Sequence, residues 1–299
     1  MKLDIITTFN EYGYNLYAKN MLMAFDQYWP KDITLHIYSE NCKVDLNLSS
    51  RMIIYDLHES FPDLVKFKDK HRNNPIANGS KMKDGTLNFE QNHFKWDAVR
   101  FSNKVYAVTN CALNFNSDIL IWLDADTLTF STPSENILKS VLPDKNEYCS
   151  YLGRTGKYHS ECGWVGYNLK HSINIEFMTY WKSLYDHETL FSLREYHDSF
   201  VFDEVRRKFE ALGKCKNKNI TPVTEGKKSP GHPFIASKLG TFMDHAKGKR
   251  KIEGHSRSKD ILFNHDVEYW KNIKEEKKGK EERQELKEKL RAYRGSKNV

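Results

Sequence analysis

Asp118-Ile119-Leu120-Ile121-Trp122-Leu123-Asp124-Ala125-Asp126 decides the reading of this 299-residue chain. The apolar run is short, rich in Ile, Leu and Trp, and bounded by polar residues, which predicts a buried strand. It stops abruptly at two acids spaced by one residue, Asp124 and Asp126. Carboxylates at a strand exit can hold a hard divalent cation and leave coordination positions open for phosphate oxygens. That chemistry suits a nucleoside diphosphate. The plainer alternative is a strand capped by a solvated acidic turn, and this short motif does not by itself separate the two.

A second motif lies far downstream, in Met243-Asp244-His245-Ala246-Lys247-Gly248-Lys249-Arg250-Lys251. Its spacing is His-x-x-Gly-x-x-Lys, filled by His245, Gly248 and Lys251. A neutral imidazole can complete a metal shell begun by carboxylates. Glycine lets the backbone approach a phosphate closely, and Lys251 offers positive charge to a departing diphosphate. Alone, the segment reads equally as a basic surface loop with an incidental histidine. Together with Asp-x-Asp at a strand end, it favours a metal–diphosphate site.

The two motifs together resemble the GT-A glycosyltransferases, most closely the glycogenin-like glycosyltransferase family 8. The resemblance implies that Asp124, Asp126 and His245 bind Mn²⁺ or Mg²⁺, with Lys251 at the pyrophosphate of a nucleoside diphosphate sugar. It implies UDP as the carrier, retention of anomeric configuration, and a Rossmann-like, mostly parallel sheet flanked by helices. It extends over roughly the first 265 residues in order of elements. The family often follows its lysine with Pro-Trp, whereas Ile252-Glu253 stand here, which marks a divergent relative.

The flanking sequence fits such an α/β design. Leu3–Phe9, Ile33–Tyr38, Met52–Leu57 and Glu147–Leu152 read as strands; Asn15–Tyr28, Trp96–Leu113, Pro133–Ser140, Ile173–Tyr185 and Glu195–Leu212 read as helices. Strands alternating with helices predict a largely parallel sheet, which binds ligands beyond the carboxyl ends of its strands. Thr7, Thr8, Phe9 and Tyr12 at the first strand exit are therefore expected to cradle the base and ribose, with Tyr12 able to stack on the base. Residues 61–94 carry Pro62, Asn73-Asn74-Pro75, Asn78-Gly79 and Asp84-Gly85 and read as a long loop.

Arg100 and Lys104 lie four apart, on one helix face. By analogy with the family this helix borders the donor, so either can meet a phosphate; a solvated basic face is the alternative. Ser160–Asn168 offers glycines and Trp164, readable as a sugar-stacking surface or as a buried strand. Family members place an acid beside the donor sugar in a position like that of Asp198, which makes Asp198 the candidate near the reacting carbon. His197 would orient it or act as acid or base. Helix capping is the competing role for Asp198.

Hydrophobic residues make up 39% and aromatic residues 13% of the chain, enough for a sizeable core, while 29% are charged. Mean hydropathy is −0.72 and the isoelectric point is near 8.9. The net charge of +7 favours anionic partners without choosing among them. Cys42, Cys111, Cys149, Cys162 and Cys215 are scattered without CxxC spacing, which argues for a reducing compartment and against cysteine-based zinc binding. The amino terminus is too polar for a signal peptide, and no apolar run approaches a membrane span. The expectation is a cytoplasmic enzyme of unassigned oligomeric state. Its catalytic domain would span 1–265, donor-binding to about 130 and acceptor-side beyond, followed by a charged helical tail over 266–299.

The acceptor (glycan, lipid, protein or nucleic-acid base) is not legible. Three other readings compete. A sugar-phosphate nucleotidyltransferase would share the fold but needs a glycine-rich basic loop after the first strand, which Thr7–Gly13 lacks. A phosphohydrolase built on His197-Asp198 and His265-Asp266 leaves the strand-ending acids unexplained. A basic module for nucleic acid or acidic glycan draws on the charge of Lys247–Lys251 and the tail, without a recognisable nucleic-acid signature.

Overall fold

A computed structural model describes residues 1–155, 158–222, 232–261 and 265–275. A seven-stranded sheet runs in the order β3-β2-β1-β4-β7-β6-β8. Its strands are β1 (Leu3–Asn10), β2 (Thr34–Glu40), β3 (Met52–Asp56), β4 (Ile119–Leu123), β6 (Cys149–Leu152), β7 (Glu161–Asn168) and β8 (Lys218–Asn219). Strands β1 to β4 pair in parallel, and only β7 runs against its neighbours β4 and β6. A separate antiparallel ribbon joins β5 (Thr127–Thr129) to β9 (Met243–His245). The fold is mixed α/β, with a mostly parallel sheet between helical layers.

β4 is buried along its whole length, as an interior strand covered on both faces must be. Its side chains alternate between two cores: Leu120 and Trp122 join one, Ile119, Ile121 and Leu123 the other. The first core is closed by the helices Pro62–His71, Ala98–Asn114, Asn174–Asp186 and Asp198–Ala211, through Leu64, Val105, Trp181 and Val201. The second is closed by Lys19–Tyr28 and Glu135–Val141, through Leu22, Phe25 and Val141. Each fully buried side chain of this kind contributes about 1.5–3 kcal/mol.

Several expectations are corrected. Residues 61–94 are not all loop: Pro62 occupies the first turn of the helix Pro62–His71 and Leu64, Phe67 and His71 are its buried face. Proline is tolerated at that position because the N–H it lacks has no intrahelical partner there. The expected helix over Asn15–Tyr28 begins with a wider π-type turn, Tyr14–Ala18. Trp164 is wholly buried and stacks on Trp29, 6.4 Å between ring centroids, so it is a core residue and no sugar platform. Residues 268–275 are helical, and Trp270 and Ile273 on this stretch join the second core, where a fully solvated tail was expected. The remainder of the tail, 276–299, lies outside the described residues.

Candidate active site

The parallel strands β1, β2 and β4 all end at one cleft, of about 1190 Å³. Thr8, Phe9, Tyr12, Arg100, Lys104, Asp124, Asp126, Asp198, Gly248 and Lys251 line it. That volume exceeds the roughly 300–1,000 Å³ of a drug-sized site, leaving room for a nucleotide and a sugar.

The β5–β9 ribbon assembles the centre. Thr127 pairs with His245, and the Ala246 N–H donates to the Asp126 carbonyl at 3.1 Å. Residues over a hundred positions apart in sequence are thereby fixed side by side. One ligand atom from each of Asp124, Asp126 and His245 lies within 4.8 Å of the others. His245 Nε2 is 3.1 Å from Asp126 Oδ1 and 3.8 Å from Asp124 Oδ2.

Glu161 sets the orientation of that imidazole. This buried carboxylate opens β7 and accepts a hydrogen bond from His245 Nδ1 at 2.8 Å. Lys247 at 3.0 Å and Arg154 at 3.1 Å neutralise it. A carboxylate at Nδ1 keeps the proton there and turns Nε2 toward the two aspartates, the arrangement by which outer carboxylates orient metal-binding histidines. Gly163 makes room for the ring: a Cβ there would sit 2.4 Å from His245 Cε1. Burial disfavours the charged imidazole, yet Asp126 and Glu161 outweigh it and raise His245 to about 9. Asp126 is held below the usual carboxylate range, since His245 and Lys251 more than offset its burial.

Lys104 links this centre to Asp198. Its buried ammonium lies 3.2 Å from Asp124 Oδ1 and 2.8 Å from Asp198 Oδ2, and donates to the Cys162 carbonyl at 2.5 Å. Burial alone would favour its neutral form, but Asp124 and Asp198 raise its pKa and keep it charged. Trp122 Nε1 donates to the same Asp124 oxygen at 2.6 Å. Asp198 begins the helix Asp198–Ala211; burial would raise its pKa, but Lys104 and His197 lower it and keep it ionised.

Lys251 Nζ lies 2.7 Å from Asp126 Oδ2 and 4.7 Å from the Tyr17 ring centroid. Gly248 turns the preceding loop at φ +58°, a conformation that favours glycine. Asp244, fully buried, fastens the far end of this loop through Ser256 N–H at 2.7 Å, Ser256 Oγ at 2.6 Å and Tyr269 Oη at 2.8 Å.

Of the residues expected at the site, two stand apart from both the cleft lining and the Asp124–Asp126–His245 group. Thr7 shares its strand face with Leu3, Ile5 and Phe9, and is buried in the sheet rather than lining the cleft. His197 is buried behind the cleft lining, 3.0 Å from Glu195. Arg100 reaches the cleft from an exposed position, whereas Lys104 is interior. His265 and Asp266 have other partners, the Ile235 carbonyl and Lys271, which leaves the phosphohydrolase pairing without structural support. Glu161, Tyr17 and Asp244 were given no role from sequence, and Gly163 was noted only among the glycines of Ser160–Asn168; a lone glutamate heading an otherwise buried strand was the available signal for Glu161.

The side chains present fit a divalent cation: two carboxylates and an imidazole whose Nε2 is turned toward them, with a carboxylate behind it. No protein-family model matches the chain, and no curated protein matches it. Among solved structures it is similar to mouse xyloside xylosyltransferase 1 in its apo form, at 12% identity and a TM-score of 0.42, covering 72% of this chain and 84% of that one. It is also similar to the galactosyltransferase LgtC in complex with donor and acceptor sugar analogues (16%, TM-score 0.40, 67% and 69% covered). A third is the apo-form glycosyltransferase GlyE of Streptococcus pneumoniae (9%, TM-score 0.40, 73% and 45% covered). At such identities the likeness concerns the course of the backbone alone.

Proposed function

We propose that the chain is a metal-dependent glycosyltransferase that moves a hexose from a nucleoside diphosphate sugar, with UDP as the carrier, to an acceptor hydroxyl. The observation that carries this reading is the convergence of Asp124, Asp126 and His245 within 4.8 Å, with the two aspartates on the cleft that Lys251 and Asp198 also line and His245 buried against them. Mn²⁺ or Mg²⁺ held by those three side chains would supply Lewis-acid neutralisation of the departing diphosphate.

The chain's own residues do the rest. Lys251 shares Asp126 in this state and has diphosphate oxygens as its alternative partner, adding preorganised positive charge where negative charge develops. Thr8 and Phe9 border the base and ribose, and Tyr12, 72% exposed, presents a ring on which a base can stack. The sugar C–O bond to the diphosphate breaks and a bond from the acceptor oxygen forms. The acceptor proton passes to the departing diphosphate in a retaining course, the one proposed, or to Asp198 in an inverting one. Lys104 keeps Asp198 ionised beside the sugar for either role.

The binding-module alternative is weakened by where the basic segment points. Lys247, Arg250 and Lys251 pair with Glu161, Asp260 and Asp126, so three of the segment's four bases direct their charge inward, and Lys249 is the exposed one. A thermal-shift screen of nucleotide sugars tests the proposal. A UDP-hexose should raise the melting temperature with Mn²⁺ and not in chelator; no response to any nucleotide sugar would refute it. Steep salt-dependent DNA binding unchanged by Asp124→Ala would favour the binding module.

A further inference from the structure

A second group of metal-type side chains gathers outside the cleft lining. One ligand atom from each of His159, Glu195 and His197 lies within 4.8 Å of the others. His197 Nε2 is 3.0 Å and His159 Nε2 3.9 Å from the same oxygen, Glu195 Oε2. The backbone is extended at His197, φ −72° and ψ 155°; two positions apart along extended chain, Glu195 and His197 can present their side chains to one side. His159 comes from the segment before β7 and closes the group.

The chemistry of this trio differs from that of the aspartate centre. Two imidazoles and one carboxylate are a donor set for borderline transition cations, with a coordination position left for water. Glu195 and His197 are each 7% exposed and His159 15%, so the group is largely buried and His159 is its most exposed member. Burial pushes both imidazoles below their ordinary value. Glu195 is lowered, because Lys95 and His197 overcome its burial. Neutral imidazole and ionised carboxylate are the forms a cation requires.

His159 turns Nε2 toward Glu195 and its other nitrogen away from the trio. His159 Nδ1 is buried with no hydrogen-bond partner, and Asp203 Oδ2 stands 3.8 Å away. Asp203 is fixed in place by Ser160, whose N–H and Oγ–H donate to it at 3.0 and 2.6 Å. Asp203 therefore lies on the outer-nitrogen side of His159, without the hydrogen bond that Glu161 makes to His245. The opposing cations are Lys95, which takes the other Glu195 oxygen at 3.0 Å, and Arg194 at 3.6 Å from that oxygen. Glu195 Oε2 stays directed at the imidazoles.

We propose that His159, Glu195 and His197 bind a zinc-type divalent cation, distinct from the Asp124–Asp126–His245 centre, and that this ion fixes the start of the helix carrying Asp198. The site stands on its own residues and does not depend on the transferase reading. The test is Zn²⁺ titration of the chelator-stripped full chain, read by isothermal calorimetry, with hydrogen exchange of residues 198–211 as the second readout.

Wild type should take up two Zn²⁺ per chain and His159→Ala one. Asp126→Ala should also take one, and the double variant none. Zn²⁺ should slow exchange at the helix start in wild type and in Asp126→Ala but not in His159→Ala. Glu195→Gln, which keeps the side-chain shape, should behave as His159→Ala and guards against a folding failure of that variant. A wild type with one site lost in Asp126→Ala would overturn the proposal. So would undiminished stoichiometry in folded His159→Ala or Glu195→Gln, or Zn²⁺ uptake at the trio without a change in exchange.

Discussion

At the scale of single residues, the centre is a chain of buried charges in which each state depends on the next. Glu161 has no access to the cleft, yet it decides which nitrogen of His245 faces Asp126. Replacing it with Gln should weaken Mn²⁺ binding about 10–100-fold while the fold survives, measured by calorimetry against circular dichroism. Lys104 is the only one of these groups to touch both Asp124 and Asp198. Lys104→Met leaves the two acids without their shared cation and should cost about 3–5 kcal/mol in urea unfolding. The pH dependence has a definite sign. Asp198 is held below its ordinary value of 3.8, so the unfolded chain takes up that proton first as the solution is acidified. Its contribution to stability is complete above that value and disappears as pH falls through the lower folded one. The slope of unfolding free energy on this acid side should be shallower in Lys104→Met than in wild type.

At the scale of elements, the short β5–β9 ribbon and the strand β7 hold the active geometry. Gly163→Ala puts a methyl group against the His245 ring. It should displace the imidazole, costing about 1–3 kcal/mol together with Mn²⁺ affinity, as chemical unfolding and calorimetry would detect. Ser256→Ala removes a hydroxyl hydrogen bond to buried Asp244 and should cost about 1–3 kcal/mol. Faster hydrogen exchange in residues 247–256 would mark the loosened loop. These elements also explain what the sequence did and did not disclose. The run Ile119–Leu123 was legible as a strand because a strand covered on both faces is continuously apolar, and its terminal acids followed directly. The helix Pro62–His71 was hidden because Pro62 and the turn-rich residues beyond it read as punctuation. The β5–β9 pairing was hidden for another reason: three-residue strands carry no periodicity, and their partner is set by tertiary contact. Lys104 and Arg100 looked equivalent by spacing; only the depth of the first core against Cys162 makes one interior and the other exposed.

At the scale of the whole molecule, the net charge is +7; in the 247–251 segment Lys247, Arg250 and Lys251 pair with acids, while Lys249, Arg72 and Arg100 are exposed on the cleft. No helix among the described residues is long and apolar enough to cross a membrane. The three-layer packing places the carboxyl ends of the parallel strands and the β5–β9 ribbon at one rim, and the function follows from what meets there. If the cation and the diphosphate are bound jointly, their stabilising effect should be cooperative. In saturating Mn²⁺, UDP at about a hundred times its dissociation constant should add roughly 2.7 kcal/mol. The most direct measurement is calorimetric titration of UDP into wild type and Asp126→Ala, each with Mn²⁺ and with chelator. UDP binding only to wild type and only in Mn²⁺ is the predicted result; equal UDP binding in chelator, or undiminished binding by Asp126→Ala, would contradict the claim that these side chains grip a nucleotide's phosphates through a shared cation.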